Sequence, residues 1–203
     1  MAQTQSTSSH RRLVAVVTAI AVVIILVLLS AFVWPRWAVK SSDESASSPS
    51  QSQTSKAATP TVSATALPTD ASTLLKTMPD SVQNFARIKA DAATDWSSAN
   101  PIEEYTVVYS TGDSAKDVTL KVAQWSTADD AKKQYDALAA TLTGEELGSG
   151  NVKVSGSTTG SYVVKTDAAD ANKASALWQN GTVVLQASGE KTAVQQFYKQ
   201  FPL

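Results

Sequence analysis

Catalytic sites draw heavily on histidine, cysteine and clustered acids, and this 203-residue chain has one histidine, His10, and no cysteine. Zinc, haem and thiol redox centres need those side chains, so none is expected, and a Ser-His-Asp relay has no histidine beyond His10. Two pairs of adjacent acids remain, Glu103-Glu104 and Asp129-Asp130. Neighbours in sequence point to opposite sides of a strand and diverge by about 100° on a helix, so neither pair converges on a proton or a cation. The first is expected as a solvated strand entry and the second as first-turn acids of a helix. Neither the dinucleotide fingerprint nor the phosphate-loop pattern occurs. Gly148, Gly150, Gly156 and Gly160 are expected to punctuate loops, without the strand-to-helix context of an anion cradle. Counting residues leaves a serine–lysine or two-carboxylate arrangement open, but nothing nominates one. The sequence assigns no catalytic, cofactor-binding or metal-ligating residue.

Binding chemistry has better candidates. Trp96, Trp125 and Trp178 either fill the core and cover its edge, or form an exposed aromatic patch for a protein or a glycan, since aromatic anchors dominate interface energy. Trp125 has the opposite parity from Val118, Leu120 and Val122, which turns it away from their face, while its place at the strand-to-helix corner leaves burial open. Trp178 precedes Asn180-Gly181 and stays ambiguous between the two readings.

What would position these residues begins with an anchor. Residues Leu13 to Val33 carry no charge, and only Thr18 and Ser30 are polar. As a helix the run is about 31 Å long, enough for a hydrocarbon core of roughly 30 Å. Residues 13–34 are therefore expected to be a single transmembrane helix, with Trp34 and Trp37 at the interface. The run is longer than a signal-peptide core, and bulky residues replace a small-x-small cleavage site. Arg11 and Arg12 are balanced by Arg36 and Lys40, so the positive-inside rule is weak here. The acid-free first 12 residues favour a short cytoplasmic tail, 1–12, and an extracytoplasmic remainder. Residues 35–66, rich in Ser, Thr, Ala and Pro, offer little to bury and are expected as a disordered tether.

Residues 67–203 are expected to form one extracytoplasmic domain. Beyond Ser41 lie all 18 acids but only 13 of the 17 basic residues, a net charge near −5. That balance argues against nucleic acid as a partner. Val82, Phe85 and Ile88 recur every third residue and suggest a helical face reaching Trp96. Tyr105–Tyr109 and Val118–Trp125 read as a hairpin. After Trp125, Ala131, Tyr135, Leu138 and Leu142 form one helical stripe, capped by Ser126 or Thr127. Val152–Val154 and Tyr162–Lys165 read as short strands. Ala174–Gln179 and Thr182–Ala187 read as a hairpin turning on Asn180-Gly181. Ser188 is the expected cap of a last helix carrying Ala193, Val194, Phe197 and Tyr198. Hairpin-then-helix thus occurs twice, and an antiparallel sheet with helices on one face would bury both stripes. The expected class is α+β, an antiparallel β-sheet packed against two or three helices and preceded by the transmembrane helix.

The segments Leu74-Leu75-Lys76-Thr77-Met78-Pro79, Glu104–Tyr109, Ala123–Ala131 and Trp178-Gln179-Asn180-Gly181 resemble the small membrane-anchored or secreted cell-envelope proteins of actinobacteria. The likeness covers residues 67–203 and the plan of anchor plus tether. It implies a cell-envelope setting and transfers no catalytic residue. The expected function is a noncatalytic membrane-anchored module binding a protein or an envelope component, as an accessory or sensory subunit. The alternatives are a cell-wall-acting enzyme of unfamiliar type and a structural spacer. Expected partners are the membrane, through residues 13–34, and an envelope protein or glycan; no cofactor is expected.

Overall fold

The computed structural model describes residues 59–202. The expected cytoplasmic tail, the transmembrane helix and tether residues 35–58 lie outside the described residues. No helix among the described residues is long and apolar enough to cross a membrane.

An eight-stranded antiparallel sheet organises the domain. Its strands are β1 (Ser81–Val82), β2 (Phe85–Ala92), β3 (Glu103–Ser110), β4 (Val118–Gln124), β5 (Glu146–Val154), β6 (Ser157–Thr166), β7 (Lys173–Asn180) and β8 (Val183–Glu190). They lie in the order β1-β2-β3-β4-β8-β7-β6-β5. Two four-stranded meanders therefore meet at β4 and β8, which pair from Val118↔Gly189 to Gln124↔Val183. Among the described residues three α-helices accompany the sheet: α1 (Thr73–Thr77), α2 (Ala128–Thr141) and α3 (Lys191–Gln200). The α+β class read from the sequence is the observed one.

Strand alternation divides the apolar residues between two faces. On one face Val107, Tyr109, Val118, Leu120, Val122, Ala176, Trp178, Leu185 and Ala187 pack with α1 and with Ala193, Val194 and Phe197 of α3. On the other, Ala123, Leu177, Val184 and Val163 pack with Trp96, Trp125 and the α2 residues Ala131 and Tyr135. The helices thus cover both faces, which corrects the expectation of helices on one face. The reason is connectivity. From central β4 the chain must reach β5 at the far edge, and α2 makes that crossing over β8 and β7. Three residues, Trp125 to Thr127, separate β4 from α2, whereas α3 follows β8 directly. Hairpin-then-helix does occur twice, but the two helices leave the sheet on opposite sides.

The segment expected as a helix from Val82 is β-structure. Val82 and Phe85 are partners across a tight turn in which Gln83 has φ 51°. A bulge between Arg87 and Lys89 then shifts the register and turns Ile88 outward, 37% exposed. A three-residue spacing thus arises from a turn and a bulge rather than a helical face.

Other boundaries move too, most of all the starts of β5 and β6, six and five residues ahead of the expected Val152 and Tyr162. β5 and β6 are longer than expected and turn on Ser155-Gly156, both with positive φ. Gly160 lies inside β6, not in a loop; a Cβ there would stand 1.9 Å from the Gln179 carbonyl oxygen on β7. Asn180 is the last residue of β7 and pairs with Val183, so Gly181 and Thr182 form the turn. Only Gly181 has the left-handed φ, 56°, as in hairpins that place glycine first. Thr127 caps α2, as expected. Glu190, not Ser188, caps α3, its carboxylate accepting from the Thr192 and Ala193 backbone N–H groups at 2.9 and 2.8 Å.

Hydrogen bonding also reaches back into the expected tether. The Thr65 N–H donates to the Arg87 carbonyl at 2.7 Å and its hydroxyl to the Ile88 carbonyl at 2.9 Å. Thr61 donates to the Thr111 carbonyl at 2.6 Å. Thr65 therefore lies against β2, and Thr61 against the residue that follows β3.

Candidate functional site

The three tryptophans named from the sequence are buried, with Trp96 6%, Trp125 2% and Trp178 2% exposed. None presents a ring to solvent as an aromatic patch would, so the core-and-edge reading describes them. Trp96 and Trp125 stack with ring centroids 6.3 Å apart, beneath α2. The Trp125 indole donates to the Ala99 carbonyl at 2.8 Å. The Trp96 N–H donates to both Glu104 carboxylate oxygens, at 3.1 and 2.9 Å. Glu104 is only 5% exposed, which corrects its expected place at a solvated strand entry. Trp125 has the parity expected of it, yet α2 covers that face as well.

Trp178 lies on the opposite face and meets Phe201 at 5.5 Å. It also lines a cleft of about 210 Å³. Helix α3 lies over β4, β7 and β8, which leaves the outer strands β5 and β6 uncovered beside its flank. Val164, Ala176 and Trp178 line the cleft with the Tyr162 and Tyr198 rings, and β5 contributes the stretch Asn151 to Lys153, of which Val152 faces it. The tyrosine rings are 6.3 Å apart and inclined at 34°. Tyr162 and Trp178 are direct partners on β6 and β7, and therefore share a face. Opposite Tyr162 stands Gly150, where a Cβ would come within 2.9 Å of the tyrosine ring.

Burial, and secondarily Tyr162, push the Tyr198 phenol above its ordinary value, so it is a neutral hydroxyl at physiological pH. No carboxylate lines the cleft, and Lys153 is the one charged residue that does. Among the described residues no group of three or more His, Asp or Glu is placed to hold a metal ion.

Two other features are structural. Arg87, 2% exposed, donates to the carbonyls of Met78, Pro79 and Thr65 and to Asp80, tying the α1–β1 connection and the incoming chain to β2. A second cavity, of about 410 Å³, touches the start of α3, but the Glu190 carboxylate already occupies the helix N–H groups there. Asp129 and Asp130 remain helix-start acids; Asp130 accepts from Thr127 and Lys133 at 2.7 and 3.0 Å.

Sequence reasoning placed Tyr162 on a strand and Tyr198 on a helix, but it did not bring either to Trp178. Asn151 and Lys153 carried no signal of their own. The Tyr162–Trp178 pairing depends on the β6–β7 register, which parity within one strand does not specify.

No family model and no curated protein matches the chain. Among solved structures it is similar to a crystal structure of a GTP-binding regulator from Thermotoga maritima. The identity is 11% and the TM-score 0.39, over 60% of this chain and 81% of the other. A likeness that low does not establish a shared fold.

Proposed function

We propose that the chain is a noncatalytic module, held outside the membrane by residues 13–34, that binds an envelope component through the cleft beside α3. The observation that supports the reading is a half-open, mostly apolar cleft lined by Val164, Ala176 and Trp178 and edged by the Tyr162 and Tyr198 rings. Concave, mostly apolar sites with few polar groups suit ligand recognition. The test places a photo-crosslinking residue at position 198 of the full-length chain in its native membrane. Position 133, on exposed α2, serves as the control. An adduct specific to position 198, formed outside the membrane, is the expected result. Equal labelling from both positions, or adducts only with cytoplasmic components, would refute the proposal.

A further inference from the structure

We infer that the outer edge of β5 is an interface with a second copy of this chain, whose own β5 adds to it antiparallel about a two-fold axis. This goes beyond the cleft and stands without it. The two edges of the sheet differ. At one, β1 is two residues long and Thr65 hydrogen-bonds to β2. At the other, β5 runs for nine residues and pairs with β6 alone. Such an edge offers a row of unpaired backbone N–H and C=O groups, and proline or clustered charge commonly blunts it. Strand β5 holds no proline, and its two charges, Glu146 and Lys153, stand toward opposite ends.

The order of its side chains selects a copy of itself. Pairing with β6 is regular from Gly148 to Val152, and a register shift bounds each end. The first shift takes Leu147 out of the count, so Glu146 holds the ladder position next to Gly148. Glu146 and Ser149 share a face, since the Ser149 hydroxyl donates to the Glu146 carboxylate at 2.6 Å. Alternation puts Asn151 and Lys153 on that face too. The row therefore reads acid, hydroxyl, amide, base. Reversed about Gly150 and laid against itself, it sets Glu146 opposite the partner's Lys153 and Ser149 opposite the partner's Asn151. Each pair then occurs twice, as an isologous interface requires. On the other face Val152 meets the partner's Gly148, where a Cβ would touch nothing within 4 Å, so the space is open to receive it. Glu146 and Lys153 are exposed, and neither is in an ion pair among the described residues. A foreign strand could use the same backbone groups, but the reciprocal charges single out a second copy. One strand edge buries less than the roughly 1,000 Å² of a lasting interface, so the dimer forms where copies are held close.

The test exploits the absence of cysteine from the chain. Full-length Ser149→Cys and Asn151→Cys variants with different tags are coproduced, and the membrane and soluble fractions are each oxidised with copper phenanthroline. Facing positions lie about 4.5–5.5 Å apart between Cα atoms, within disulfide range, whereas each position and its own copy are diagonal, at about 7–8 Å. The mixed pair should therefore crosslink several times more than either variant produced alone under two tags. Lys153→Glu in both chains should lower that yield about three- to fivefold, the scale of two exposed ion pairs, and adding Glu146→Lys should restore it. Circular dichroism checks that each variant is folded. Equal yields from mixed and single variants, no crosslink between copies, or a loss that the charge exchange does not restore would overturn the inference. Crosslinking to other proteins in place of the second copy would do so too.

Discussion

The cap of α3 makes a sharp quantitative test, because sequence and structure name different residues for it. Glu190 accepts two backbone N–H groups with its carboxylate, whereas Ser188 sits two residues earlier on β8, paired with Thr119 and Ser175. Replacing a capping side chain by alanine costs about 0.5–2 kcal/mol. Two short, charge-assisted bonds place Glu190→Ala in the upper part of that range, at about 1.5 kcal/mol. Helix α3 carries Ala193, Val194 and Phe197 into the main core, so loss of the cap lowers global stability rather than fraying a free end. With a urea slope of about 2 kcal/mol/M, the unfolding midpoint should fall by about 0.7 M. Ser188→Ala should change stability by less than about 0.5 kcal/mol. The pH dependence gives a second reading. Backbone hydrogen bonds at Thr192 hold the Glu190 carboxyl below its ordinary value of 4.5. A depressed native pKa means that the contribution is complete above the unfolded value and is lost as pH falls through the folded one. The stability gap between the native protein and Glu190→Gln should therefore be widest near neutrality and close in acid. A larger loss for Ser188→Ala than for Glu190→Ala, or a gap unchanged in acid, would refute this assignment.

Three further substitutions probe how the sheet is held. Gly160→Ala places a methyl 1.9 Å from the Gln179 carbonyl oxygen of β7, an overlap that only backbone movement relieves; we expect a loss of about 3 kcal/mol, read by thermal unfolding. Phe197→Ala empties a position packed 4.9 Å from Tyr109, 5.4 Å from Phe201 and 5.7 Å from Phe85. It should cost about 4 kcal/mol in urea unfolding with no change in slope. Arg87→Lys leaves too few donors for three carbonyls and Asp80, and should cost about 2 kcal/mol while speeding hydrogen exchange at the Thr65 amide, whose acceptor is the Arg87 carbonyl.

What the sequence determined by itself was local. Alternation from Val118 to Val122, the stripe of Ala131, Tyr135 and Leu138 and the threonine cap before it are local signals that form as read, while Leu142, expected on the same stripe, is the residue that ends the helix. The helix expected at Val82 failed because a turn and a bulge reproduce a three-residue period, and only the pairing of β2 with β3 separates the two. The exposure of the tryptophans also lay beyond the reach of local pattern. Trp125 could be assigned a face from parity, but its burial depends on α2 crossing that face on the way from β4 to β5. The cleft is more strongly tertiary still. Asn151, Tyr162, Trp178 and Tyr198 come from three strands and a helix, and no local periodicity links them. Register and strand order brought them together, because both are set by long-range packing that a run of neighbouring residues does not encode.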